Sequence, residues 1–407
     1  MATFRTIDDF DVRGKRVLVR ADLNLPMKDG KVADKTRLER LVPTLEELAD
    51  KGARVIVLSH FGRPKGKPAP EFSLAPIAPA LGAALHGRSL RFVPDCVGPE
   101  ARAAAAALKN GELMLLENVR FDAAEEKNDP AFAKQLASLG ELYVDDAFAC
   151  AHRANASIDA IARFLPAAAG RLMEAELKAL ESALETPTRP LAAVIGGAKV
   201  STKIELLGNL IDKVDILIVG GAMANNFLAA QGIAIGKSLV EADMIGVARD
   251  ILAKAERRRV EFLLPTDAIV APRLEPAVPY RAVPIDRVPA DEMILDIGPA
   301  TADALAHRLL DAKTLVWNGP LGAFETKPFD AGTVRVARAA ADLARAGKLV
   351  SVAGGGDTVA ALAHAGVIDF FNYVSTAGGA FLEWLEGKEL PGVAALKASA
   401  ARRAETA

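Results

Sequence analysis

Four clusters of charged and hydrogen-bonding side chains stand just after short apolar runs in the first half of the chain. They are Arg20, Asp22 and Asn24; Ser59, His60 and Arg63; Glu117, Asn118 and Arg120; and Asp145 and Asp146, with His152 and Arg153 shortly beyond. A guanidinium offers paired hydrogen bonds to carboxylate or phosphate, so such clusters suit a small, densely anionic molecule. A lone histidine is more often a core or surface residue than a ligand contact. His60 and His152 keep different company, because Arg63 and Arg153 follow them and Arg37 and Arg120 occupy comparable segments. Asp22 and Asn24 fit a turn and fit acceptors for a ligand hydroxyl equally well.

In the second half the same positions hold glycine: Gly196-Gly197 before Lys199, Gly220-Gly221, Asn318-Gly319-Pro320, Gly354-Gly355-Gly356-Asp357-Thr358, and Gly378-Gly379. Glycine lets backbone N–H groups and helix N-termini approach phosphates and a flat base, which suits a nucleotide. The three glycines from Gly354 exceed what a turn needs. They predict a phosphate site at a helix start, with Asp357 or Thr358 as the cap and Asp357 as the natural Mg²⁺ contact, since hard cations take oxygen ligands. Lys199 and Lys203 lie four apart, which would place both on one helical face. Spacing alone leaves two readings, an ordinary basic surface or two cations neutralising one transferring phosphoryl group. Gly232, Gly236, Lys237 and Ser238 miss the P-loop spacing by one residue. Dinucleotide-binding and protein-kinase signatures are absent as well.

The elements that must position these residues alternate regularly. Strand candidates fall at 16–20, 54–59, 90–93, 113–117 and 142–145, then at 191–195, 216–219, 261–264, 314–317, 349–353 and 373–375, separated by Ala/Leu/Glu/Lys-rich stretches. This βαβα order predicts an α/β fold of two doubly wound parallel-sheet domains, with ligands beyond the carboxyl ends of the strands. Residues 170–184 carry Leu172, Leu177, Leu180 and Leu184 at helical spacing before a Pro187/Pro190 break, and read as a connecting helix. The 407 residues fit two domains, and 51% hydrophobic with 25% charged content is globular. A net charge of −2 opposes a nucleic-acid footprint. Two cysteines, Cys96 and Cys150, and the early acids Asp8, Asp9 and Asp11 point to a reducing cytoplasm. The longest uncharged window, 216–236, contains Asn225, Asn226, Gln231 and four glycines, and reads as strand, turn and helix start rather than a membrane span.

With these segments assembled, the chain closely resembles the phosphoglycerate kinase family along nearly its whole length. The resemblance rests on Arg20-Ala21-Asp22-Leu23-Asn24-Leu25-Pro26, Ser59-His60-Phe61-Gly62-Arg63-Pro64, Glu117-Asn118-Val119-Arg120-Phe121, and Asp145-Asp146-Ala147-Phe148 leading to Ala151-His152-Arg153. It continues through Gly196 to Lys203, Leu295-Asp296-Ile297-Gly298-Pro299, Trp317-Asn318-Gly319-Pro320 with Glu325, Gly354 to Thr358, and Ser375 to Ala380. It implies a phosphotransferase acting reversibly between 1,3-bisphosphoglycerate and ADP, giving 3-phosphoglycerate and ATP, in glycolysis, gluconeogenesis or carbon fixation. Mg²⁺ would enter as MgATP or MgADP, through Asp357.

By the same resemblance, Asp22, Asn24, Arg37, His60, Phe61, Gly62, Arg63, Arg120 and Arg153 hold the triose. Lys199, Lys203, Gly221, Gly298, Asn318, Glu325, Gly355, Gly356, Asp357 and Thr358 hold the nucleotide, and Arg37, Lys199 and Lys203 serve catalysis. The expected domains are a triose-phosphate domain at 1–170, a connecting helix and hinge at 171–186, a nucleotide domain at 187–388, and a segment at 389–407 that returns to the first domain. A cytoplasmic monomer with small-molecule substrates, no nucleic acid and no membrane is expected. Ala222, Ala377 and Asn155 depart from the usual family pattern and would alter affinity at most. The alternative is a non-catalytic protein that binds a sugar phosphate and a nucleotide in the same places.

Overall fold

Runs such as Val17 to Val19 and Val55 to Leu58 are apolar without alternation, the pattern of parallel strands covered on both faces. The computed structural model describes residues 4–404, which fall into two units: those up to Leu177 with those from Glu389 onward, and Lys178–Lys388. Each unit is built on its own six-stranded parallel sheet.

Across the first sheet the strands run Leu90–Val93, Leu113–Leu116, Arg54–Leu58, Arg16–Arg20, Leu142–Asp145 and Ala167–Ala169. Numbered along the chain this order is 3-4-2-1-5-6, so the direction of winding reverses between Arg16–Arg20 and Leu142–Asp145. The helix Thr36–Asp50 buries Leu38, Leu41, Leu45 and Leu48 in this unit's core and carries Arg37 in its first turn. The second sheet runs Glu261–Leu263, Ile216–Val219, Leu191–Ile195, Thr314–Asn318, Val350–Gly354 and Tyr373–Ser375, which is 3-2-1-4-5-6. Its reversal lies between Leu191–Ile195 and Thr314–Asn318, the position at which open α/β sheets leave a crevice.

Two features escape the sequence pattern. Ala167–Ala169 is an edge strand without a β-branched residue. A separate antiparallel sheet forms from Asp267–Ala271, Arg281–Pro284 and Met293–Ile297. The helix Arg171–Leu180 continues as a π-helical turn, Glu181–Glu185, and the division between units falls inside it. Its first turn is fastened to the first unit: Leu172 and Met173 donate backbone N–H groups to the Asp146 carboxylate, and Arg171 pairs with Asp8, Glu47 and Glu174. Among the described residues no helix is long and apolar enough to cross a membrane.

The helix Pro391–Ala404 belongs to the first unit. It buries Val393 and Leu396, donates Gly392 N–H to Ala151 O at 2.9 Å, and takes the Ala167 N–H on Ser399 Oγ at 3.0 Å. Residues 405–407 of the expected returning segment lie outside the described residues. Leu396→Ala should cost about 2–5 kcal/mol of unfolding free energy through the cavity it opens. Chemical denaturation followed by far-UV circular dichroism measures this, and an unchanged transition would contradict the packing described.

Candidate functional site

At the reversal of the second sheet, Gly196 and Gly319 bring two strand ends into contact. A Cβ on Gly196 would overlap the Pro320 carbonyl and one on Gly319 would overlap the Gly196 carbonyl, so neither position accepts a side chain. The chain then opens into a cavity of about 330 Å³ lined by Lys199, Lys203, Asn318, Gly355, Gly356, Asp357 and Thr358 among others. A second cavity of about 560 Å³ shares Gly197, Ala198 and Asp357 with it and is walled by Leu239, Leu274, Met293 to Ile297 and Phe324, with Gly221 and Glu325 at its lining. A small chamber carrying two lysines beside a larger one walled by apolar side chains matches a polyphosphate joined to a flat base.

The lysines differ from the helical-face expectation. Lys199 is extended (φ −133°, ψ 127°) and precedes a 3-10 turn, Val200–Lys203, so the two side chains leave the backbone from different local structures. The turn is held by Glu241, whose carboxylate accepts Ser201 N–H at 2.9 Å and Ser201 Oγ–H at 2.5 Å. The Lys199 ammonium makes no hydrogen bond or ion pair among the described residues, on an exposed residue whose carbonyl accepts from Thr202 Oγ1 at 2.9 Å. Lys203 is half-buried and donates to Asn318 Oδ1, while Asn318 Nδ2 donates to Gly354 O at 2.7 Å. Burial lowers the Lys203 pKa below its ordinary value, against the pull of Glu386 and Asp357.

The expected side-chain cap at the glycine run is also corrected. The helix Gly356–His364 starts from Gly355 at φ +98° without a side-chain cap, because Thr358 Oγ1 instead accepts Gly319 N–H at 2.7 Å. That bond ties the glycine run to the neighbouring strand end. Gly298 lies off both cavities, with its N–H donated to Asp267 O at 2.9 Å.

In the first unit the predicted residues gather beyond Arg16–Arg20. Arg37 Nη1 reaches Asp22 Oδ2 and Asn24 O, both at 2.9 Å. Asn24 Oδ1 accepts Gly62 N–H at 3.0 Å, and Arg120 Nη1 donates to Gly62 O at 2.9 Å. Asn118 donates to Phe61 O at 2.7 Å and accepts Arg120 N–H at 3.0 Å, so this cluster fastens the Phe61-Gly62 loop to Arg120. Arg153 Nε donates to His152 Nε2 at 3.1 Å. Arg63 is exposed without a hydrogen bond or ion pair among the described residues. His60 is buried beside Arg20, and burial followed by Arg20, Arg120, Arg153 and Arg37 holds its pKa well below the ordinary value. Asp22, His60 and Cys150 have the spacing of cation ligands. Arg20 on His60 Nδ1 and Arg37 on Asp22 occupy two of those ligands and add positive charge, which favours an anion here.

Sequence reasoning missed the apolar walls of the larger cavity, since Leu239 and Met293 look like any core residues. It also missed Glu125 and Ser157, which lie under Arg20. Three acids proved to be buried: burial pushes Asp145 up to about 6, Asp146 to about 7 and Asp296 to about 8, although backbone N–H donors oppose each shift. Asp296 accepts Ile297 N–H and Gly332 N–H at 2.9 and 2.7 Å and fills the space beside Gly322 under the larger cavity.

A family model described as phosphoglycerate kinase matches residues 7–388. The chain is 61% identical over 396 residues to the phosphoglycerate kinase of Granulibacter bethesdensis, covering 97% of this chain and 100% of that one. It is 59% identical over 394 residues to that of Ruegeria sp., covering 97% and 99%. Among solved structures, phosphoglycerate kinase from Coxiella burnetii is similar with a TM-score of 0.90 at 45% identity, over 97% of this chain and 98% of that one. The enzyme from Pyrococcus horikoshii gives 0.80 at 32% identity, over 97% and 99%.

The buried acid Asp296 makes stability fall with rising pH. Its native pKa is raised to about 8, so the native carboxyl keeps its proton where the unfolded one is ionised, and that stabilisation is lost as pH climbs towards 8. Between pH 6.5 and 8 this amounts to about 2 kcal/mol. Both tryptophans, Trp317 and Trp384, lie in the second unit, so their fluorescence during denaturation follows the relevant transition. Asp296→Asn should remove most of the slope, and an equally steep slope in the variant would contradict the assignment.

Proposed function

The chain belongs to the phosphoglycerate kinase family, and from that premise we propose how its residues divide the transfer of a phosphoryl group between 1,3-bisphosphoglycerate and ADP. In the first unit, Arg37, His60, Arg63, Arg120 and Arg153 bind the phosphate and carboxylate of 3-phosphoglycerate, Asp22 and Asn24 accept from its hydroxyl, and Phe61 and Gly62 shape the loop against it. In the second unit the larger cavity takes the base and ribose, with Gly221 beneath the base, Gly298 supporting the wall and Glu325 at the ribose. Lys199, Lys203, Asn318, Gly355, Gly356 and Thr358 take the phosphates. Asp357 is exposed, lies on both cavities and makes no hydrogen bond or ion pair among the described residues, which leaves its carboxylate for the Mg²⁺ of MgATP or MgADP.

The observation that carries this reading is the pair of joined cavities at the strand-order reversal, with Lys199 and Lys203 on the smaller one. In the direction of ATP consumption, a carboxylate oxygen of 3-phosphoglycerate forms a bond to the γ-phosphorus while the bond to the bridging oxygen breaks, and ADP leaves with the electron pair. The carboxylate is ionised at neutral pH, so no general base is required. Lys203 and Arg37 offset the charge on the transferring oxygens, with Lys199 on the phosphate chain. The reacting atoms must come within about 3–3.5 Å in line, a motion we assign to the helix at 171–186. The enzyme acts as a cytoplasmic monomer in this reading.

Purified protein with MgATP and 3-phosphoglycerate should release ADP only when both are present. Lys203→Ala should lower kcat by about 10²–10³-fold. Arg37→Ala should lower kcat/KM for 3-phosphoglycerate by about tenfold or more. Wild-type rates in both variants would refute the assigned roles.

A further inference from the structure

Arg20 lies at a strand end among the candidate triose contacts, yet its side chain is 1% exposed and every edge of its guanidinium is engaged inside the protein. Nε donates to Ser157 Oγ at 2.8 Å, Nη1 donates to Ala21 O, and Nη2 lies 3.2 Å from His60 Nδ1. Ser157 is in turn fixed by the buried Glu125, donating Oγ–H at 2.6 Å and its backbone N–H at 2.9 Å. The guanidinium therefore has a defined orientation as well as a position.

A guanidinium carries five donors and no acceptor, and it stays protonated at any pH at which the protein is folded. The nitrogen it faces must therefore supply the lone pair. That nitrogen is Nδ1, so the single proton of a neutral His60 ring sits on Nε2. Cys150 Sγ, 3.9 Å from the same Nδ1, is a thiol held protonated by burial, its pKa pushed up to about 12, and it favours the same arrangement. We infer that Arg20 is a positioning residue that fixes His60 as the Nε2–H tautomer, so that His60 offers the bound acid a neutral N–H donor rather than a cation.

The groups facing His60 agree in sign. Arg20, Arg37, Arg120 and Arg153 oppose its protonation, and Cys150 is neutral. Asp22 is the one carboxylate in the cluster, and Arg37 already holds one of its oxygens. A protonated ring would bind the acid at low pH and release it on crossing neutrality. A ring locked in one neutral tautomer gives the same hydrogen bond throughout. The role towards substrate rests on His60 belonging to the 3-phosphoglycerate site, whereas the tautomer does not depend on it.

Two-bond ¹H–¹⁵N correlation spectra of the histidine-labelled enzyme test this, with the His60 signals identified by their loss in His60→Gln. The expected spectrum has an unprotonated, acceptor-type Nδ1 and a protonated Nε2, unchanged between pH 5.5 and 8. A protonated Nδ1, or a titration midpoint near 6.5, overturns the inference. Because this measurement needs only the wild-type fold, it decides the tautomer even if substitution of Arg20 prevents folding. Adding 3-phosphoglycerate should shift Nε2. An unmoved Nε2 overturns the substrate role while leaving the tautomer in place. In Arg20→Gln, whose amide can accept from a protonated Nδ1 as well as donate to a bare one, the Nδ1 signal should move towards the mixed-tautomer position and KM for 3-phosphoglycerate should rise at least about threefold, with both restored more fully by Arg20→Lys. An Nδ1 signal that stays fully acceptor-type in Arg20→Gln contradicts the positioning role.

Discussion

Positive charge that is held in place without being neutralised is the constraint from which the rest of this structure follows. A carboxylate partner fixes a cation but also cancels it, whereas a neutral oxygen fixes it and leaves its field available. Lys203 is held by the amide oxygen of Asn318, and Arg20 by Ser157 Oγ and Ala21 O. Arg171 shows the contrast, with Asp8, Glu47 and Glu174 all bound to it, as expected of a residue that anchors a helix. On the triose side Arg37 and Arg120 do meet carboxylates, Arg37 at Asp22, itself a proposed substrate contact, and Arg120 Nε at Glu126 Oε1, 3.4 Å away.

Both sheets serve this constraint through topology. Each reverses its winding beside its first strand, and the chain segments that carry the functional groups leave from the carboxyl ends of the strands at and near that reversal. In the second unit the two strand ends touch through Gly196 and Gly319, which closes the floor and sends the lysine turn and the glycine run out over the same cavity. Asp145 and Asp146 perform the equivalent structural work in the first unit. Asp145 accepts Ala147 N–H, and Asp146 accepts the first amides of the helix Arg171–Leu180.

Much of this was legible in the sequence because the strands are buried on both faces and read as continuous apolar runs, and because charge or glycine at a strand end has few other reasons to be there. The strands predicted at 16–20 and 191–195 form with those limits. The α/β class, the parallel sheets and the kinase family stand as read. What was not legible depends on tertiary contact. Ala167–Ala169 has no strand propensity of its own and is a strand because it pairs with Tyr143 to Asp145. The sheet of Asp267–Ala271, Arg281–Pro284 and Met293–Ile297 is antiparallel and partly exposed, so it breaks the βα rhythm. Lys199 and Lys203 share a helical spacing, but Gly196-Gly197 and the Glu241 anchor hold the segment extended and then as a 3-10 turn. Arg20 reads as one more substrate-facing arginine, and only its burial against Glu125, Ser157 and His60 gives it a different task.

The claim that Lys203 must be held by a neutral acceptor is tested most directly by comparing Asn318→Asp with Asn318→Ala in steady-state turnover of MgATP and 3-phosphoglycerate. Both variants lose the amide, but only the aspartate adds a negative charge against Lys203. The account predicts that kcat/KM for MgATP falls at least about tenfold further in Asn318→Asp than in Asn318→Ala. Equal or higher activity in the aspartate variant would contradict it.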